Sequence, residues 1–291
     1  MKTPHVLIIG CGDLGTRLGW RLLSLEWQVT GFCRRPERLP KSFKGVRGDY
    51  TDRRDVAALL DLRPDYIVFT PLPTSREPAG YARGYADATA LLAESGLLGQ
   101  SKGGVFVSST RVYAETEGGW VDEDSPLTDS DPSAASIIEA ERVFQENCRA
   151  ATVLRASGIY GDWPGMFVQR LMQGLASPAP DRISNRIHRE DLASVMAFCL
   201  TRLESGLPNS PVYIASDRAP TPVGEIEAWL AQRLDLPLVT GSAASRRSNR
   251  KCSSDRLCSA GFSFAYPDYK AGFSELIDRQ VGAGKGEVGE P

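Results

Sequence analysis

One turn, Gly10-Cys11-Gly12-Asp13-Leu14-Gly15, separates a short continuous run, His5-Val6-Leu7-Ile8-Ile9, from a stretch in which Leu14, Leu18 and Leu22 recur every four residues. The run lacks polar alternation, which fits a strand buried on both faces of a parallel sheet. The leucine spacing fits a helix with one apolar stripe. Glycine at the first, third and sixth positions of the turn joining them constrains this chain more than any other feature. Gly10 makes a tight turn, Gly12 lets the backbone approach a ligand closely, and Gly15 allows close packing of helix on strand. The helix N-terminus adds free N–H groups and partial positive charge. Together Gly10, Cys11, Gly12, Asp13, Leu14 and Gly15 imply a cradle for the pyrophosphate of a dinucleotide.

The rest of the first half keeps alternating strand and helix patterns. Strands are expected at 27–32, 45–49, 65–70, 104–109 and 152–155, and helices at 54–60, 80–95 and 133–149, with an acidic loop at 115–131. This rhythm predicts an α/β fold: a doubly wound parallel Rossmann sheet with helices on both faces. Beyond Tyr160 the pattern loosens into helices at 166–175, 191–203 and 223–234 and a strand at 212–215. Residues 1–160 are expected as the nucleotide-binding domain and 161–279 as a small C-terminal substrate lobe interleaved with it. Residues 280–291, rich in glycine and charge, are expected as a disordered tail.

The formal net charge of -2 gives no basic excess, so neither nucleic acid nor an anionic membrane is expected as a partner. The six cysteines are scattered, none in a C-x-x-C pair, and His5 and His188 are the only histidines. That composition argues against a zinc site or a disulfide frame and for reduced thiols in a cytoplasmic protein. No apolar run reaches the roughly 18–20 residues that span a bilayer.

A dinucleotide site usually places Asp or Glu after the second strand to accept hydrogen bonds from the ribose. Here that place falls near Cys33 and is followed by Arg34 and Arg35. Two guanidinium groups suit a 2′-phosphate, so NADP is expected, with NAD as the alternative. Asp49, at the end of the third strand, either meets the adenine amino group or caps the next helix.

Several segments carry a resemblance. Besides the glycine turn they are Gly48-Asp49-Tyr50-Thr51-Asp52, Val107-Ser108-Ser109-Thr110-Arg111-Val112-Tyr113, Leu154-Arg155-Ala156-Ser157-Gly158-Ile159-Tyr160-Gly161 and Asn185-Arg186-Ile187-His188-Arg189-Glu190-Asp191-Leu192-Ala193. The chain resembles the extended and atypical short-chain dehydrogenase/reductase family, among its NAD-dependent epimerase/dehydratase-like proteins. The resemblance implies an NAD(P)-dependent oxidoreductase acting on a small molecule such as a nucleotide-sugar, a homodimer built through two helices, and Tyr50 beside Asp49 at the cofactor. It places the catalytic serine at Ser109. It places the family's Tyr-x-x-x-Lys pair at Ser133 and Ile137, which can do neither job. The remaining Tyr-x-x-x-Lys, Tyr266 to Lys270, lies too near the C-terminus and is read as accidental.

Tyr113 is then a candidate replacement proton donor, with wall packing as its alternative. Arg186 is a candidate for binding an anionic group of the substrate, with an internal salt bridge as its alternative. His188 joins the substrate-side candidates, with a structural role at a helix start as its alternative. Two function classes follow: an enzyme with an altered proton donor, or a non-catalytic NADP-binding redox-sensing or regulatory protein.

Overall fold

The computed structural model describes residues 3–237, 239–240 and 249–285, the backbone alone for 239–240 and 281–285. The apolar runs form β1 (His5–Ile9), β2 (Gln28–Cys33), β3 (Lys44–Arg47), β4 (Tyr66–Phe69), β5 (Gly103–Ser109), β6 (Ala151–Ala156) and β7 (Val212–Ala215). They make one parallel sheet in the order β7-β6-β5-β4-β1-β2-β3. The order reverses between β1 and β4, which opens a crevice at the carboxyl ends of the strands.

Successive strand residues point to opposite faces, so each strand feeds two cores. Val6 and Ile8 of β1 join Val68, Val105 and Leu154 on one face, packed with α1 (Asp13–Ser24) and α3 (Arg189–Glu204). Leu7 and Ile9 join Ile67, Phe69, Phe106 and Val153 on the other, packed with α2 (Pro132–Asn147). Asp131 and Pro132 start α2 as a side-chain cap and first-turn proline: the Asp131 carboxylate accepts from Ser133 N at 3.0 Å. A third, smaller core of Val168, Leu171, Ile226, Leu230, Phe273 and Leu276 joins the helix Met166–Met172 to α4 (Val223–Leu234) and α5 (Tyr269–Lys285).

The structure departs from the sequence expectations in three ways. The strand expected within the C-terminal lobe is β7, paired with β6 in the central sheet, and α3 lies on the sheet's face against α1. Arg21 Nη2 meets Glu190 Oε2 at 2.6 Å, and Arg17 pairs with the same carboxylate, so α1 and α3 are clasped together. The helix expected at 80–95 begins at Pro78 and contains a π-helical segment, Ala82–Asp87. Finally, α5 runs to Lys285 and takes in the first residues of the expected tail, while 286–291 lie outside the described residues. All six cysteines are free. Among the described residues no helix is long and apolar enough to cross a membrane.

Candidate functional site

The three glycines of the turn do three separate jobs. Gly10 has φ +78°, and a Cβ there would lie 2.7 Å from the Thr70 carbonyl oxygen. Thr70 Oγ1 donates to the Gly10 carbonyl at 2.9 Å, which ties the turn to the end of β4. At Gly15 a Cβ would press on Ile8 Cγ2 at 2.9 Å, so the glycine is needed for α1 to lie on β1. At Gly12 a Cβ would meet only the Gly10 carbonyl, at 3.8 Å. Gly12 therefore faces open space at the N-terminus of a 12-residue helix, a fit for a pyrophosphate. Leu14 is half-buried, and Asp13 is exposed and accepts from Arg17 Nε at 3.0 Å. Cys11 is buried beneath the turn, and burial pushes its thiol up to about 12. It is a packing residue.

Arg34 and Arg35 follow β2, both exposed, and neither forms an ion pair with a described residue. The nearby carboxylate, Glu37, is taken by Arg47 Nη2 at 2.8 Å, while Arg47 Nη1 donates to the Arg34 carbonyl at 3.0 Å. Asp49 does not cap the next helix. Its Oδ1 accepts from Thr51 N and Oγ1, both at 2.9 Å, and the helix Arg53–Ala57 is capped by Asp52. Tyr50 stands edge-on to Phe69 at 5.2 Å, and its hydroxyl accepts from Leu72 N at 3.1 Å and donates to Leu72 O at 3.2 Å. Asp49 and Tyr50 thus order the rim of the crevice.

At the carboxyl end of β5, half-buried Ser109 accepts from Arg111 N at 3.2 Å and caps the short turn Thr110–Val112. The preceding residue points the other way: Ser108 is buried and donates to Glu141 of α2. Glu141 pairs with Arg155 of β6 through contacts of 2.8, 3.2 and 3.2 Å, with side-chain exposures of 4% and 6%. Arg155 Nη1 also donates to the Tyr113 hydroxyl at 3.2 Å.

This network corrects one expectation. Tyr113 is 1% exposed, burial raises its phenol, and its hydroxyl is held by Arg155, so it is a wall and not a proton donor. Closeness to Ser109 in sequence does not translate into a shared face, because the turn after β5 carries Tyr113 beneath the site. Ser133 and Ile137 are both buried, Ile137 in the core that contains Tyr85 and Phe106. Tyr266 donates to Glu275 Oε2 at 2.6 Å and Lys270 lies over Tyr269, so Tyr266 and Lys270 do not act as a pair.

His188 also departs from its substrate-side expectation. Its Nδ1 accepts from Glu190 N at 3.3 Å as the cap of α3, and its ring centre lies 3.9 Å from that of Tyr266, the planes tilted by 38°. It is 4% exposed, and burial pulls its pKa down to about 4, so it is neutral at physiological pH. Asp191 serves another segment, accepting from Ala265 N and Tyr266 N at 2.9 Å each.

Arg186 is 9% exposed and its guanidinium lies 4.1 Å from the centre of the Phe167 ring. It forms no salt bridge with a described residue, and its buried Nε lacks a partner. The internal salt bridge weighed from sequence is therefore absent among the described residues. Burial lowers Arg186 to about 10, which leaves it cationic at neutral pH. Two residues the sequence did not single out, Tyr81 and Arg111, meet at the same carboxyl edge, Arg111 Nη1 donating to the Tyr81 hydroxyl at 3.1 Å. Thirty positions separate them, and no periodicity or motif signals the contact.

Comparison with known proteins agrees with this architecture. The model of the NAD dependent epimerase/dehydratase family matches residues 6–215. A Methylobacillus flagellatus protein provisionally described as an NAD-dependent epimerase/dehydratase is 30% identical, with TM-score 0.78 over 96% of this chain and 100% of that one. A functionally unknown conserved protein from Silicibacter pomeroyi is 24% identical, with TM-score 0.77 over 95% of this chain and 99% of that one. The UDP-glucose 4-epimerase of Thermus thermophilus, solved with NAD, shares the fold at 20% identity and TM-score 0.81 over 96% of this chain and 99% of that one. No curated protein matches the sequence.

Proposed function

Because the chain belongs to the NAD dependent epimerase/dehydratase family, we propose that it is an NADP-dependent oxidoreductase or epimerase-like enzyme for a small anionic substrate of the nucleotide-sugar class, working without the Tyr-x-x-x-Lys pair. The observation that carries this reading is the junction of an open Gly12 face with two exposed arginines that no described carboxylate pairs. In it, Gly10 to Gly15 hold the pyrophosphate, and Arg34 and Arg35 take the 2′-phosphate. The bound dinucleotide supplies hydride exchange at a substrate carbon. Ser109 holds the substrate oxygen. Arg186, a buried cation between aromatic rings, receives the substrate's anionic group. The Thermus thermophilus neighbour, named as a UDP-glucose 4-epimerase, supports the substrate class.

Calorimetric titration with NADP and with NAD tests the cofactor assignment. NADPH oxidation over a panel of UDP-sugars and small carbonyl compounds tests the reaction. Preference for NAD overturns the role of the arginines. Tight NADP binding without turnover favours the second reading, a redox-sensing or regulatory protein, which the burial of Ser133 and Ile137 supports.

A further inference from the structure

We propose that Tyr81 and Arg111 are the proton-exchanging pair of this site, with Tyr81 Oη giving its proton to the substrate oxygen that Ser109 holds. The inference rests on the enzyme reading above and names the residues that supply its missing acid. Arg111 lies on the turn that Ser109 caps, and its backbone N–H donates to Ser109 Oγ at 3.2 Å. Its guanidinium is fixed on Asp131 by two parallel contacts, Nε at 2.6 Å and Nη2 at 3.1 Å. That leaves Nη1 directed at the Tyr81 hydroxyl, 3.1 Å away. Asp131 also accepts from Ser133 N, so the cluster sits at the first turn of α2. By resemblance, that is the turn from which the family's tyrosine and lysine work. Here the phenol comes from the helix that follows the β4 loop.

Tyr81 is held in place. A Cβ on neighbouring Gly80 would collide with the backbone of Ser75, so this glycine lets the helix start rest directly on the loop. The π-helical segment Ala82–Asp87 begins at the next residue and stacks Tyr81 on Tyr85, ring centres 6.0 Å apart and planes 10° from parallel. Such segments occur often at functional sites. The tyrosines nearby are otherwise engaged: Tyr113 is sealed under Arg155, and Tyr50 bonds the backbone of Leu72. Tyr81 is half-buried and Arg111 is 41% exposed, so neither is sealed from solvent as Tyr113 is.

The chemistry balances. The phenol O–H breaks and an O–H forms on the substrate oxygen as its carbon gains hydride, and the phenolate left behind accepts from Arg111. In the opposite direction the phenolate takes the hydroxyl proton. A guanidinium does not give up a proton in this range. Arg111 is therefore a positioning residue and Tyr81 the catalytic one.

Sulfonyl fluorides label tyrosine at the phenol oxygen, the atom that Arg111 Nη1 holds at 3.1 Å. Phenylmethylsulfonyl fluoride labelling of the full chain, mapped by peptide mass spectrometry, reads this without any turnover. Tyr81 is expected to be labelled first. Arg111→Gln should slow labelling by about one to two decades, as expected for loss of one charge-assisted bond. Arg111→Lys should retain most of the rate, and Asp131→Asn, which unanchors the guanidinium but keeps it, should fall between. Tyr81→Phe should bind NADP as the wild type does, yet lose about two to four decades in kcat on any panel compound that the wild type turns over. Labelling that ignores Arg111→Gln, or that falls on other tyrosines first, overturns the pair. So does a Tyr81→Phe variant that loses NADP affinity, since Tyr81 would then be holding the cofactor. Failure of the enzyme reading would appear separately, as NADP binding by the wild type with no turnover of any panel compound.

Discussion

Replacing Glu141 by glutamine removes one charge and almost no volume from the most buried ion pair among the described residues. Both side chains are nearly sealed, and Arg155 has three contacts to the carboxylate of 3.2 Å or less. The amide can keep a hydrogen bond to Ser108 or Arg155. It cannot neutralise a guanidinium that burial holds away from water. Breaking one side of such a pair costs about 3–5 kcal/mol, because the remaining charge stays desolvated. Set against a typical stability of about 5–15 kcal/mol, that is a large fraction of the total. For a chain near this size each kcal/mol moves Tm by about 2–4 °C, so Glu141→Gln should melt roughly 6–20 °C lower. Urea denaturation at neutral pH, followed by circular dichroism, gives the free energy directly. The double variant Glu141→Leu/Arg155→Met removes both charges and should be less destabilised than the single variant, since apolar replacement of a buried pair is often neutral or better. A loss below about 1 kcal/mol for Glu141→Gln would mean that water reaches the pair. Additive losses in the double variant would refute the claim that the cost is an orphaned charge.

Gly12→Val should fold normally, because a Cβ there meets only the Gly10 carbonyl at 3.8 Å, but should lose measurable NADP binding by calorimetry. Unchanged affinity would move the pyrophosphate elsewhere. Arg34→Ala/Arg35→Ala should weaken NADP by about one to two decades while leaving NAD unchanged, and equal loss of both would mean that the arginines do not read the phosphate. His188 binds its proton at about 4 in the fold against 6.5 for the ordinary imidazole, so the unfolded chain is protonated first as pH falls. The stability contributed by neutral His188 is full above pH 6.5 and is lost on descending to about 4, by at most ~3 kcal/mol. His188→Asn, which can still cap α3, should flatten that window in urea melts. Asp217, raised by burial from 3.8 to about 7, acts in the opposite sense, losing stability as pH rises through that range. The test is therefore the difference between variant and wild type, and identical pH profiles would show that His188 titrates alike in both states.

Local chemistry made the nucleotide-binding half legible in the sequence. A buried strand, a glycine turn and a helix stripe are written within one short stretch, His5 to Leu22, and Gly12 and Gly15 meet only near neighbours in the chain, although Gly10 also answers to Thr70. The arginines after β2 were readable by counting along an element, whereas Ser133 and Ile137 were reached only through the family resemblance. What counting cannot supply is the partner across the fold. The strand Val212–Ala215 has an unmistakable pattern, but only pairing with β6 makes it the sheet's edge instead of part of a separate lobe. Tyr113 and Tyr81 are equally plausible as symbols. The tertiary structure seals the first beneath Arg155 and brings the second to Arg111. His188 becomes a cap, and Arg186 a buried cation without a salt bridge among the described residues, by the same process. Burial and charge pairing are set by which surfaces meet when distant segments pack, and those contacts leave no periodic trace in the segments themselves.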